Sequence, residues 1–222
     1  MPFGLKSAPV SFQRTMNAVL RDAIGDRCCV YMDDILILEE TLREHNLKLH
    51  EVFTQLRHHN LKIEPDICKF LRTELQYLRH IVTTEGVKPD PKKIKAVIEF
   101  PIPVKPRDIK SFLGLAGYYR KFINDFSLIA KPLTELLQKD TEWSWTEKQE
   151  ESFQKLKEAL TKAPLLQDPD FTQPFFVMTD ASRYAIGAIL SQGKLGQDKP
   201  IAYASRTLNK NEQSYSTTEA EC

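Results

Sequence analysis

The chain has 222 residues, enough for one large or two modest domains, and its 31 basic and 30 acidic side chains exclude a protein defined by one global field. Its four cysteines lack paired spacing, which excludes a disulfide framework. His45 and His50 lie five apart and miss the i,i+4 geometry of a shared metal face. No signal peptide or membrane-length apolar run is present, so the chain is expected to be soluble.

In chain order, residues 1–4 read as a loop and 7–24 as a helix, with Val10, Met16, Val19, Leu20 and Ala23 at roughly helical spacing. The stretch 28–38 follows, two apolar β-favouring runs around Asp33-Asp34. This pattern predicts a short hairpin with the acid pair as its tight turn. Adjacent carboxylates repel, so holding both ionised favours a nearby cation, and an all-oxygen site suits Mg²⁺. A plain surface turn is the alternative for the acid pair alone.

Thr41 with Glu44 three residues on predicts a capped packing helix with Leu42, Leu49, Val52, Phe53 and Leu56 as its stripe. Residues 61–63 and 69–71 read as short strands, and 75–82 as one arm of a hairpin turning at 84–86. Helices are expected over 92–100, 108–122, 126–137 and 147–160, with a proline-stiffened linker at 102–106. Trp143 and Trp145 read as packing residues. From 175 the period changes to two, predicting strands at 175–180, 185–192 and 200–205 and a helix onset at 216–221. Charge is uneven locally. Residues 86–121 carry nine basic side chains against three acidic, a pattern that fits a phosphate backbone as well as a solvated helical face.

Several stretches together resemble one family. Met-Pro-Phe-Gly-Leu-Lys-Ser-Ala-Pro-Val-Ser-Phe-Gln at 1–13, Tyr31-Met32-Asp33-Asp34, Gly86-Val87-Lys88-Pro89, the run from Phe112 through Tyr118-Tyr119-Arg120, and Thr179-Asp180-Ala181-Ser182 stand in the order found in reverse transcriptases of gypsy-like long-terminal-repeat retrotransposons. The resemblance implies an α+β fold: the C-terminal part of a polymerase palm at 1–86, a mostly helical thumb and connection at 87–170, and a truncated ribonuclease H-like domain at 171–222. It further implies RNA-directed DNA polymerase and ribonuclease H activity. Asp33, Asp34, Asp180 and Glu221 would be the catalytic and metal-binding acids, with Glu219 a weaker choice than Glu221. The ion would be Mg²⁺, with Mn²⁺ as the alternative.

By the same resemblance Phe3, Gly4, Gln13, Tyr31 and Met32 would lie at the incoming nucleotide, Gln13 towards the template. Leu78, Arg79, His80, Lys92, Lys95, Lys110 and Arg120 would contact the primer or duplex. Partners would be an RNA/DNA hybrid, a primer–template duplex, deoxynucleoside triphosphates and the rest of a polyprotein, with no membrane. The location would be intracellular, in a cytoplasmic virus-like particle or the nucleus. One departure stands out: the family usually has glycine where this chain has Arg79, which would either make a phosphate contact or obstruct one. The chain starts midway through a palm and stops within a ribonuclease H helix, so it reads as a fragment. Two classes stay open, an enzyme segment active within a complete chain and a non-catalytic retroelement remnant that at most binds nucleic acid or protein. The C-terminal strands, with an unpaired edge, are expected to be lost first to protease.

Overall fold

The computed structural model describes residues 5–25, 28–194, 196–216 and 219, arranged in two units, Met1–Arg72 and Thr73–Cys222. In the first unit, helix α1 (Ala8–Val19) starts with proline in its first turn and buries Met16 and Val19. It ends earlier than its periodicity predicts. The chain bends at Leu20, and Ala23 and Ile24 both donate back to the Leu20 carbonyl, which tucks Leu20 and Ala23 into the core. Strands β1 (Cys28–Tyr31) and β2 (Asp34–Ile37) pair antiparallel from Cys28↔Ile37 to Tyr31↔Asp34. Helix α2 (Leu42–His58) is capped as expected, Thr41 Oγ1 accepting from the Glu44 N–H. Met16, Val19, Leu20, Ala23, Cys28, Val52 and Leu56 close one small core between these elements.

The strands expected at 61–63 and 69–71 do not form. Residues 65–67 make a single 3₁₀ turn, Ile63, Ile67, Phe70 and Leu71 stay exposed, and Leu71 takes a positive φ of 52°. Three-residue stretches have no ladder of their own, and no strand pairs with these among the described residues.

The second unit begins with a meander, β3 (Glu74–Tyr77), β4 (His80–Thr83) and β5 (Gly86–Pro89), all antiparallel. The expected arm 75–82 is therefore two strands, with an extra reversal at Leu78-Arg79. Asp90 caps α3 (Pro91–Ile98) by accepting from the Lys92 N–H. Next come α4 (Pro106–Gly117), a 3₁₀ turn at Arg120–Phe122, α5 (Phe126–Glu135) and α6 (Glu147–Thr161). The helix expected over 108–122 thus breaks after Gly117, which frees Tyr118 and Tyr119 to face the Leu78-Arg79 turn. The last sheet is β6 (Phe176–Ala181), β7 (Ala185–Gln192) and β8 (Lys199–Thr207), in sequence order and antiparallel.

The main core lies among the helices: Val97, Ile109, Phe112, Ala116, Phe122, Leu133, Phe153, Leu156 and Leu160, joined by Leu166. Each such large side chain contributes about 1.5–3 kcal/mol of transfer free energy. The segment carrying Leu166 joins both sheets. Val87 and Leu166 exchange two backbone hydrogen bonds at 2.8 and 2.9 Å, and the Gln167 N–H donates to the Pro200 carbonyl at 2.8 Å. Cys28, Cys29 and Cys68 are free thiols. Among the described residues no helix is long and apolar enough to cross a membrane.

Candidate functional site

The β1–β2 hairpin presents its acids differently from the expected Asp-Asp turn. Tyr31 pairs with Asp34, so the two loop residues are Met32 and Asp33, while Asp34 is the first residue of β2. Met32 has a φ of 50°, a region that two-residue hairpin loops normally reserve for glycine, asparagine or aspartate. Gln13 on α1 holds it there: its Oε1 accepts from the Met32 N–H at 2.6 Å, and its Nε2 donates to the Val30 carbonyl at 3.1 Å and to Asn17 Oδ1 at 2.8 Å. The amide expected near a template strand thus clamps the hairpin through two of these bonds.

Asp33 and Asp34 are both exposed, and Tyr31 is half-exposed beside them. Two adjacent carboxylates at a rigid, solvent-facing tip are the right donors for a hard divalent cation, which takes oxygen ligands and keeps its remaining positions for water or substrate. Among the described residues no group of three His, Cys, Asp or Glu side chains gathers as a ready-made metal cage. Phe3 and Gly4 lie outside the described residues.

The second cluster surrounds the Leu78-Arg79 turn, whose residues have φ of 46° and 63°. Tyr118 Oη donates to the Leu78 carbonyl at 2.8 Å and Tyr119 Oη to the Arg79 carbonyl at 2.7 Å. His80 Nδ1 also bonds the Leu78 carbonyl at 2.8 Å, and its ring lies 5.6 to 5.7 Å from those of Tyr118, Tyr119 and Phe122. Burial, with Lys121 as a nearby positive charge, lowers the His80 pKa. Burial, reinforced by the Asp90 charge, pushes the Tyr119 phenol up to about 12. Lys121 is itself held below its ordinary range by burial, partly offset by Asp168. Lys92, Lys95, Lys110 and Arg120 are exposed on α3, α4 and the 3₁₀ turn, and Lys95 pairs with Glu99 at 3.6 Å.

In the last sheet Asp180 is exposed near the end of β6. Register puts it in one cross-strand row with Gly187 and Ser205, so the Asp180 and Ser205 side chains share one face. The start of α5 covers part of this row: Ser127 and Ser205 exchange hydrogen bonds at 2.8 and 2.9 Å, and a Cβ at Gly187 would come within 2.7 Å of Asp125 Oδ1. Glu221 lies outside the described residues. Glu219 accepts from the Ser216 N–H and hydroxyl at 2.8 Å each, contacts that lower its pKa and commit it to a local turn. Tyr118, Tyr119 and Asp125 are site-shaping residues that the sequence reading missed. The tandem tyrosines were visible as a motif, but their partners lie 40 residues away.

An acid-tipped hairpin packed on two helices, followed by helices and an antiparallel sheet with an acid on its first strand, is the architecture of a reverse-transcriptase palm followed by a ribonuclease H-like fold. Residues 1–82 match the family model described as reverse transcriptase (RNA-dependent DNA polymerase), and residues 145–222 match that of the RNase H-like domain found in reverse transcriptase.

Along its whole length the chain is 49% identical to the retrovirus-related Pol polyprotein from transposon 297, 44% to that from transposon opus and 40% to that from transposon gypsy, all of Drosophila melanogaster. It spans only 21%, 23% and 22% of those relatives. Among solved structures, the foamy viral protease-reverse transcriptase in complex with dsDNA aligns with a TM-score of 0.85 at 27% identity, over 99% of this chain and 46% of that one. The same viral protein in complex with an RNA/DNA hybrid aligns with a TM-score of 0.84 at 27% identity, over 99% of this chain and 30% of that one. The chain thus carries a reverse transcriptase match and an RNase H-like match, and along its whole length it is similar to a part of gypsy-type retrotransposon Pol polyproteins.

Proposed function

We propose that, within a Pol polyprotein, this segment takes part in RNA-directed DNA synthesis and in hydrolysis of the RNA strand. Asp33 and Asp34 hold Mg²⁺, with Mn²⁺ as a substitute, for nucleotidyl transfer. The Leu78–His80 turn and the exposed Lys92, Lys95, Lys110 and Arg120 meet the primer–template duplex. Asp180, with Glu221, serves the ribonuclease H site. When bound, the cation activates the primer 3′-hydroxyl and stabilises the departing pyrophosphate.

The chain's own part at the palm is positional. Gln13 fixes Met32, and with it the direction of both acids; the roles at the incoming deoxynucleoside triphosphate fall to Phe3, Gly4, Tyr31 and Met32. The observation that carries this reading is the hairpin tip, where two exposed acids are held on a left-handed Met32 by the Gln13 amide. The duplex and hybrid bound by the foamy viral relatives support the same class of partner.

The test uses a full Pol polyprotein carrying this segment. Asp33→Asn is expected to lower primer extension by about a hundred- to a thousandfold, the order of loss when one electrostatic group of a site is removed, while ribonuclease H cleavage persists. Asp180→Asn is expected to do the reverse. Equal damage to both activities by each substitution would point to misfolding and overturn the assignment.

A further inference from the structure

Helix α5 meets the last sheet at three places, all of them beside the strand that carries Asp180. Ser127 donates its N–H to Ser205 Oγ at 2.9 Å and its hydroxyl to the Ser205 carbonyl at 2.8 Å. Since the first bond is made to the Ser205 side chain, the start of α5 stands on the face to which that side chain points. Asp180 shares this face through the register Asp180↔Gly187↔Ser205. Gly187, between them, leaves its Cβ space open, and Asp125 Oδ1 lies 2.7 Å from where that atom would be. Further along α5, Lys131 Nζ lies 3.5 Å from the centroid of the Tyr184 ring, in the turn between β6 and β7.

The helix is anchored on its other side. Ala130 and Leu133 are buried in the main core, the Ser152 hydroxyl donates to the Ile129 carbonyl, and the Gln149 amide donates to the Pro132 carbonyl. Among the described residues β6 pairs with β7 alone, so Asp180 takes its direction from β7 and from whatever holds the β6–β7 turn. Both supports lead to α5. The residues that match the RNase H-like domain begin at 145, after α5 has ended at Glu135, so these supports come from outside the matched region.

We propose that α5 is a functional part of the ribonuclease H site, with Ser127 and Lys131 as positioning residues that fix the direction of Asp180 through Ser205 and Tyr184. This rests on the reading of Asp180 as a ribonuclease H acid. A close-packed core passes its rigidity to the strands fastened to it, and a displacement of about 1 Å at a reacting group can cost on the order of a hundredfold in rate.

The test uses a full Pol polyprotein carrying this segment, with cleavage of an RNA/DNA hybrid and extension of a primer measured on the same preparations. Ser127→Ala and Lys131→Met remove the hydroxyl and the cation, while Ser127→Thr and Lys131→Arg keep them. Ser127→Ala and Lys131→Met are each expected to lower kcat for hybrid cleavage by about three- to tenfold, the size of one lost contact of this kind. The double variant is expected to lose roughly a hundredfold. The KM for the hybrid and the rate of primer extension are expected to stay unchanged, and Ser127→Thr and Lys131→Arg to retain most of the cleavage rate. A helix that only added stability would change the folded fraction, and so would lower both activities together.

A wild-type kcat in the double variant overturns the proposal. So does a parallel fall in cleavage and primer extension, which would make α5 a general folding element. A raised KM with an unchanged kcat also overturns it, by placing the two side chains against the hybrid itself. If any of these results comes from a polyprotein that loses cleavage on Asp180→Asn, the ribonuclease H reading stands and only the role of α5 falls. Cleavage that survives Asp180→Asn removes both.

Discussion

Side-chain hydrogen bonds hold the left-handed backbones at Met32 and at the Leu78-Arg79 turn. Met32 occupies its left-handed conformation because the Gln13 amide takes its N–H and ties the same hairpin at Val30, so a residue on α1 sets the direction of Asp33 and Asp34. At the other turn the key side chain is His80. Its Nδ1 bonds the Leu78 carbonyl and therefore carries the proton, which leaves Nε2 as a bare acceptor, buried and without a partner among the described groups. Protonating Nε2 would place a charge among the rings of Tyr118, Tyr119 and Phe122 with Lys121 nearby, which is why burial lowers its pKa. A depressed histidine pKa means that the unfolded chain binds the proton more readily. The stabilisation is therefore present above the ordinary value of 6.5 and is lost as pH falls through the lower folded-state pKa. An NMR titration of the His80 ring is expected to show a midpoint below 6.5, and urea midpoints should drop over the same interval. A midpoint at or above 6.5 would contradict the buried, neutral ring.

Among the elements, two glycines make opposite demands. Gly86 has a φ of 137°, and a Cβ there would lie 2.1 Å from the Leu166 carbonyl oxygen, a backbone atom fixed by its bridge to Val87. Gly187 is crowded only by the carboxylate end of Asp125, which can rotate away. Gly86→Ala is therefore expected to cost roughly 2–5 kcal/mol through strain and overpacking, and Gly187→Ala clearly less. Chemical denaturation of the two variants checks the order, and equal costs would show that the Leu166 bridge yields easily. The same elements show what could be read from sequence. The capped α2, the α3–α6 helices and the three final strands were legible because cap chemistry, apolar spacing and a change of period are local signals. The reversal at Leu78-Arg79 was not, since neither residue favours a turn and the hydroxyls that stabilise it come from Tyr118 and Tyr119. The Met32-Asp33 loop was missed for a related reason: the acid pair carries the turn propensity, whereas Gln13 decides which residue bends. The candidate acids were singled out through the resemblance, but the residues that support them were not.

Over the molecule as a whole, stability is divided between two units with separate cores, one closed by α1, β1–β2 and α2 and the other by the helices and the two three-stranded sheets. The sequence led us to expect the C-terminal strands to be lost first to protease. The structure redirects that expectation. Strand β8 is fastened to α5 through Ser127 and Ser205, Tyr203 packs against the main core, and Gln167 bonds the Pro200 carbonyl beside the Leu166 bridge. Residues 61–73, by contrast, are mostly exposed, have no strand partner and contain trypsin sites at Lys62, Lys69 and Arg72. Cleavage requires local opening of the backbone, which is least costly where few buried contacts must break. Brief trypsin digestion of the chain is therefore expected to cut first between 62 and 72, giving a small N-terminal fragment and a resistant fragment that starts near Thr73 and retains β6–β8. Mass spectrometry of the early products decides the matter. Early loss of residues beyond 171 with the 62–72 segment intact would show that the packing of β8 on α5 is weaker than its hydrogen bonds and core contacts indicate.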